Sequence, residues 1–252
     1  MKGSPISRML RPDQGTEGYL LLVILALGLV LSVSTEGFFT LRNLADLLVS
    51  YAFVGVLACG LLVVLVSGSI DISFTATASV AQYAMMLFLL DHGGNWLVAF
   101  VLAGAIGIAL GCVNAVLVHY LRVSSVIITI ATLNVYFGLL IFATKGEYIY
   151  AFPDWYSAGV NLFEFTDADQ NYYSLSLQIL VLVAAFVLTW LLLNRTTLGR
   201  QIYALGSNAE GAKRLGFNIL WLRLFAYGYL GLAAGAASVG RPYIVLSARA
   251  TP

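Results

Sequence analysis

Seven apolar stretches without a charged residue run along the chain: Tyr19–Thr35, Leu47–Val66, Ile72–Leu90, Trp96–Val118, Val123–Thr144, Leu175–Asn194 and Leu224–Gly240. About 20 residues at a helical rise cross the hydrocarbon of a bilayer, so each stretch predicts a transmembrane helix. Their Leu, Val, Ala, Ile, Gly and Phe residues show no alternation, which a transmembrane strand needs over about ten residues. Only helices and closed barrels satisfy the backbone in lipid. The pattern therefore predicts an all-α integral membrane protein, a polytopic helical bundle with about seven transmembrane helices. Residues 1–18 read as a tail and 19–252 as one membrane domain, with long polar loops at 145–173 and 195–223.

Composition narrows the class. The chain is 60% hydrophobic and 10% charged, against about 25% charged for a soluble domain. This excludes a soluble globular protein, a disordered chain, a nucleic-acid binder and a disulfide scaffold. Cys59 and Cys112 lie in apolar runs and read as small hydrophobes. Numbering tails and loops alternately puts Lys2, Arg8, Arg11, Arg122, Arg195, Arg200, Lys213, Arg214 and Arg223 on one side. Arg42, Lys145, Arg241 and Arg249 fall on the other. The Lys/Arg bias makes the first side cytoplasmic, with the N-terminus inside. The 145–173 loop, with Glu147, Asp154, Glu164, Asp167 and Asp169, is then external. The first stretch also has features of a signal peptide, a basic start and Ser32 and Ser34, but it is long for one.

Some polar residues break the apolar runs. Asp71, in Ser67-Gly68-Ser69-Ile70-Asp71-Ile72-Ser73, is the one acid between Asp46 and Asp91. An ionisable group in that position is a functional candidate. It can also cap the third helix by accepting from the amide of Ser73 or Phe74. The two roles are compatible, because broken helices place their termini at substrate sites. Gln82, Asn114, Thr129, Thr132 and Asn134 lie within spans, and Thr129, Thr132 and Tyr136 share one helix face. Such neutral groups suit either a hydroxyl-bearing solute or bonds between helices. Gly107 and Gly111, and Gly231 and Gly235, form small faces at four-residue spacing for close helix packing, within the bundle or between subunits.

The 195–223 loop holds Gly206-Ser207-Asn208-Ala209-Glu210-Gly211-Ala212-Lys213-Arg214-Leu215-Gly216. Asn208 can cap a short helix, Lys213 and Arg214 suit its last turn, and Gly216 can end it. Ala209, Ala212 and Leu215 or Gly216 would give a small, smooth face that docks on another protein. A basic helix held by anionic lipid is the alternative. No GxxxxGK[ST], HExxH or Cys/His cluster occurs, so no cofactor or metal is expected, and any ATP is hydrolysed by another chain. A secondary carrier coupled to H⁺ or Na⁺ is the main alternative, with Asp71 as its single in-path acid. A lipid-modifying enzyme would need a clustered catalytic set, for which the acids of the 145–173 loop are the sole material.

Three segments resemble the ABC importer permeases of the ribose, xylose and arabinose type, a family that also includes an importer of a furanose-like signal. Ser67-Gly68-Ser69-Ile70-Asp71-Ile72-Ser73-Phe74-Thr75 is similar to that family's SGGIDLSVG. The stretch from Asn114 to Thr132 is similar to NGLLVAYLKVPPFIVTLGT, and Leu198 to Gly216 resembles FGRxIYAIGGNxxAAxxxGI. The resemblance implies about ten helices in the whole family fold, a second permease subunit, ABC ATPase subunits and a periplasmic solute-binding protein. It implies a sugar-like solute carried across a bacterial inner membrane by alternating access. Gly206, Asn208, Ala209, Ala212 and Gly216 would then belong to the region that contacts the ATPase. Asp71, Ser73, Asn114, Thr129, Thr132 and Asn134 are the candidate substrate path. The chain departs from the pattern at Ser69, Phe74, Thr75, Ser124 and Phe137, the last where the family commonly has Arg before the glycine matched by Gly138. Ser247-Ala248-Arg249 resembles a family SAR just before Pro252, so a C-terminally truncated permease is expected.

Overall fold

A computed structural model describes residues 15–35, 37–147, 149, 152–157, 161–166 and 172–240. Lys2, Arg8 and Arg11, the loop residues Asp167 and Asp169, and the Ser247-Ala248-Arg249 segment lie outside the described residues. Contacts divide the chain into two units, Met1–Leu47 with Thr166–Tyr173, and Leu48–Phe165 with Ser174–Pro252.

The first unit holds α1 (Gly15–Ser34) and the start of α2 (Leu41–Val66). Helix α1 leaves nearly all its large apolar side chains exposed, from Tyr19 to Val33. Thr40 opens α2: its Oγ1 accepts from the Asn43 amide at 3.3 Å, and Asn43 Nδ2 donates back to the Phe38 carbonyl at 2.8 Å. This cap lets α2 begin at Leu41 rather than at the expected Leu47. The charge-free criterion had skipped the polar first turn with Arg42 and Asp46.

In the second unit α2 is followed by α3 (Phe74–His92), α4 (Trp96–Leu121), α5 (Ser125–Thr144) and the short α6 (Asp154–Ser157). Strands β1 (Asn161–Thr166) and β2 (Tyr172–Ser176) pair in a two-stranded sheet. Then come α7 (Leu177–Arg195), α8 (Thr197–Ser207), α9 (Ala209–Arg214) and α10 (Ile219–Val239). The hairpin corrects the reading of 145–173 as plain loop. Phe163 and Phe165 alternate with Glu164, and Tyr173 and Leu175 with Ser174, a period of two too short to register as a span. Helix α10 starts at Ile219, not Leu224, because Asn218 caps it and Arg223 sits in its first turns.

Six helices among the described residues are long and apolar enough to cross a membrane, at residues 43–66, 74–92, 96–121, 125–144, 177–195 and 219–239. The first expected span appears as a shorter apolar helix, Gly18–Ser34. The protein is thus an all-α polytopic membrane protein with one small hairpin.

The centre of the second unit is the α4–α10 pair. A Cβ on Gly107 would collide with the Gly231 carbonyl, and one on Gly231 with the Gly107 carbonyl. Gly235 lies in the same way on Ala103, and Gly111 on Tyr227. The two small faces therefore meet each other inside one chain, and backbones touch where side chains are missing. Val63, Val64, Val118, Ile202, Leu205, Leu222 and Tyr227 form a buried cluster that seats α8 against α2, α4 and α10. A second cluster, with Met85, Met86, Leu89, Ala99 and Val239, is closed by α6. There Tyr156 stacks on Trp96 at 5.2 Å and donates its hydroxyl to the Val239 carbonyl at 2.8 Å.

Candidate functional site

Gly68 ends α2. Its φ is +78°, a left-handed value that glycine adopts without strain. The Gly68 amide donates to Leu65 and the Ser69 amide to Val64, the paired bonds of a Schellman motif. The chain then runs as a non-helical ribbon, Ser69–Ser73, before α3 begins at Phe74. Helix α5 supplies the bonds this ribbon lacks. The Ile70 amide donates to Ser125 Oγ at 3.0 Å and the Ile72 amide to Thr129 Oγ1 at 3.2 Å. Ser125 and Thr129 are one turn apart, matching alternate residues of the ribbon.

Asp71 stands between those two amides and is 3% exposed. Its Oδ1 accepts from the Ser73 amide and the Ser73 hydroxyl, each at 2.7 Å. Its Oδ2 accepts from Asn114 Nδ2 on α4 at 3.2 Å. Asn114 Nδ2 also donates to Ser73 Oγ at 2.6 Å, and Asn114 Oδ1 lies 3.0 Å from the Tyr136 hydroxyl of α5. Burial pushes the Asp71 carboxyl above its usual range, and the bonds from Ser73 and Asn114 draw it partly back. The Ser73 bond was expected from sequence, but as a helix cap. The structure makes Ser73 the N-cap residue, without a side-chain cap bond, and turns Asp71 into an Asx turn just before it.

Asp71, Ser73, Asn114, Thr129 and Tyr136 thus form one buried set joining the ribbon to α4 and α5. Thr132 is buried next to it and donates to the Thr129 carbonyl at 3.2 Å. Asn134 is not brought in: it is exposed on another face of α5 and donates to the Ile130 carbonyl of its own helix at 2.8 Å. Ser125 and Tyr227 are the residues sequence reasoning missed. Ser125 had a signal, its four-residue spacing from Thr129. Tyr227, buried beside Ser69 and Ser125, had none, because α10 also carries the hydroxyls of Tyr229 and Ser238 and no spacing singles it out.

The second candidate region is the handle formed by α8 and α9. Asn208 caps α9, its Oδ1 accepting from the Gly211 amide at 2.9 Å. Gly216, at φ +85°, ends it: its amide donates to Lys213 and the Phe217 amide to Ala212, again a Schellman pair. Both devices were expected. The smooth face was placed only in part. Ala212 is 2% exposed and points into the protein, while Leu215 is 71% exposed. Gly206, Asn208, Ala209 and Gly216 are exposed as expected, although a Cβ added to Gly206 would strike the Val66 carbonyl. The exposed face of the handle keeps Ala209, Leu215 and Gly216 from the expected set, loses Ala212, and adds Glu210, Lys213 and Arg214. Asn208→Ala should weaken α9 by about 1 kcal/mol, and Gly216→Ala by about 1–2 kcal/mol through its left-handed backbone. Faster amide exchange across Ala209–Arg214, with α7 and α10 unchanged, is the expected reading.

The profile of the family described as "Branched-chain amino acid transport system / permease component" matches residues 43–243. An autoinducer 2 import system permease protein LsrC from Yersinia enterocolitica is 29% identical over 224 residues, 88% of this chain and 59% of its own. Proteins of the same name from Yersinia pseudotuberculosis serotype O:3 and Yersinia pestis strain Pestoides F are 30% and 28% identical, each over 88% of this chain and 61% of its own. The chain spans about three fifths of the length of these curated relatives. No solved structure matches it. With its six apolar helices and with the family profile covering most of its length, the chain belongs to the branched-chain amino acid transport system permease component family.

Proposed function

We propose that the chain is a solute-conducting permease subunit of an ABC importer in a bacterial inner membrane. It moves a small sugar-like solute by alternating access, and separate ATPase subunits supply the drive. The observation that carries this reading is the handle. A short helix closed at both ends by its own capping bonds presents an exposed face with two cations and one exposed leucine. Such a rigid, self-contained projection transmits force where a flexible loop would absorb it. The sequence carries no phosphate-binding loop, which supports hydrolysis of ATP by a partner chain. The Lys/Arg bias supports a cytoplasmic handle and N-terminus. A periplasmic solute-binding protein and a second permease subunit complete the assembly.

The relatives are named for import of autoinducer 2, and the family description for branched-chain amino acids. The similarity to proteins named for autoinducer 2 import is what supports a hydroxylated, sugar-like solute. The test is uptake of autoinducer 2, D-ribose and leucine by cells carrying the full transporter, with co-purification of the ATPase. Leu215→Asp combined with Ala209→Trp should lower uptake and recovered ATPase at least about tenfold, the scale of one lost interface anchor, with unchanged membrane protein level. Uptake that survives ATP depletion and collapses with an uncoupler would instead establish a secondary carrier built on Asp71.

A further inference from the structure

The handle and the Asp71 ribbon meet backbone to backbone. A Cβ on Gly206 would strike the Val66 carbonyl and lie 3.0 Å from the Gly68 amide nitrogen, and one on Gly68 would lie 3.0 Å from the Gly206 Cα. No side chain separates the two segments, so a shift of the end of α8 has no flexible atoms to absorb it. Beyond that contact the amides of Ile70 and Ile72 are held by two hydroxyls, Ser125 and Thr129, rather than by a helix or sheet ladder. One polar atom beside the ribbon is unpaired. The Tyr227 hydroxyl on α10 is buried within weak interaction range of Ser69 and Ser125 but completes a full hydrogen bond with no described residue. An unpaired buried hydroxyl is costly unless another arrangement of its surroundings uses it.

We propose that Ser69–Ser73 is a two-position ribbon and that Gly206, Gly68 and Tyr227 are its positioning residues. In the position seen, Ile70 and Ile72 are tied to α5. When Gly206 presses on Gly68 the ribbon slides off those hydroxyls and a ribbon group bonds to the Tyr227 hydroxyl. Asp71 travels with it, which loosens Asn114 and Tyr136 and frees α4 to move against α5. Packed cores with two discrete arrangements amplify small displacements in this way. The inference rests on the reading that a partner moves the handle, but its test needs no partner.

The chain is reconstituted in lipid nanodiscs with isoleucine carrying ¹⁵N, and exchange of the Ile70 and Ile72 amides is followed. Gly206→Ala pushes on the ribbon by its added methyl and should speed both amides about tenfold, the scale of one lost hydrogen bond. Tyr227→Phe alone should leave both rates as in the unaltered chain, because it removes no bond that exists there, and should hold or raise the thermal midpoint, because it removes a buried hydroxyl without a partner. Added to Gly206→Ala it should speed exchange again, about fivefold, because the displaced ribbon loses its new partner. Equal effects of Tyr227→Phe in both backgrounds, or unchanged exchange in Gly206→Ala, would overturn the proposal. Where Gly206→Ala does not fold, Ser125→Ala with Thr129→Val takes its place as the displacing variant and the same comparison decides. A handle that recovers no ATPase would strike the transport reading and leave this result standing.

Discussion

Asp71→Leu should lower the stability of the folded chain by on the order of 3 kcal/mol, whereas Asp71→Asn should cost about 1 kcal/mol or less. The carboxylate is the shared acceptor for three donors: the Ser73 amide, the Ser73 hydroxyl and Asn114 Nδ2. Leucine has the same branched shape but is bulkier and carries no acceptor, so those donors stay buried without partners and the site is also overpacked. Removing the buried charge gives back some desolvation, but the donors left behind outweigh it. Asparagine keeps one oxygen for both Ser73 donors and turns an NH₂ toward Asn114. Asn114 can then reverse its amide, presenting its oxygen to residue 71 and its NH₂ to the Tyr136 hydroxyl. That hydroxyl keeps a separate acceptor in the Leu110 carbonyl at 3.1 Å. Thermal midpoints of the two variants in detergent, read from size-exclusion profiles after heating, provide the check. If Asp71→Leu melts no earlier than Asp71→Asn, the hydrogen bonds around Asp71 do not hold the ribbon. The Asn variant has a second use: a folded chain that no longer supports uptake would show that the negative charge itself is needed for transport.

The difference between what was legible in the sequence and what was not follows the range of each interaction. Asn208 and Gly216 bound α9 through bonds to residues within five positions, so the pattern Asn-Ala-Glu-Gly…Gly is sufficient. The contact from Asp71 to the Ser73 amide is equally local. Ala212 was misread because its face depends on where α8 seats the whole handle. That seat is made by Ile202 and Leu205 against residues far away in the chain, such as Val63 and Leu222. The bonds from Ile70 and Ile72 to Ser125 and Thr129 cross more than fifty positions. A turn rich in serine and glycine shows that its amides need acceptors but not which helix provides them. Asn134 fails for the opposite reason. It looks like Asn114 in composition, yet its amide is satisfied by Ile130 one turn back, and nothing draws it inward. The ends of helices were missed wherever a charged residue belonged to the first turns, at Arg42 and Asp46 and at Arg223. At a bilayer surface a helix carries charge without penalty.

Packing in the bundle gives the sharpest contrast, because neighbouring glycines of one helix should answer the same substitution in opposite directions. Gly231→Ala should destabilise the chain by about 3 kcal/mol or more, at the upper end for overpacking. Its methyl would occupy the place of the Gly107 carbonyl, and backbone cannot turn aside as a side chain does. The α4–α10 pair must then separate, and Gly235 on Ala103 and Gly111 on Tyr227 open with it. Gly107→Ala should cost as much, since the contact is reciprocal, and the double variant should cost less than the sum of the two because the helices separate only once. Gly228, three residues from Gly231, offers its Cβ only ordinary contact with Cys112 Sγ at 3.5 Å. Gly228→Ala should therefore be neutral or raise stability by up to about 1 kcal/mol through helix propensity. Gly138 on α5 has open space around it and should behave likewise. Denaturation by sodium dodecyl sulfate from mixed micelles, followed by tryptophan fluorescence, ranks the variants. Equal losses for Gly228→Ala and Gly231→Ala would mean that the two helices do not cross at Gly107 and Gly231. The order expected here places a backbone crossing at Gly107 and Gly231 and, at Gly228, leaves room for a methyl only on the Cys112 side.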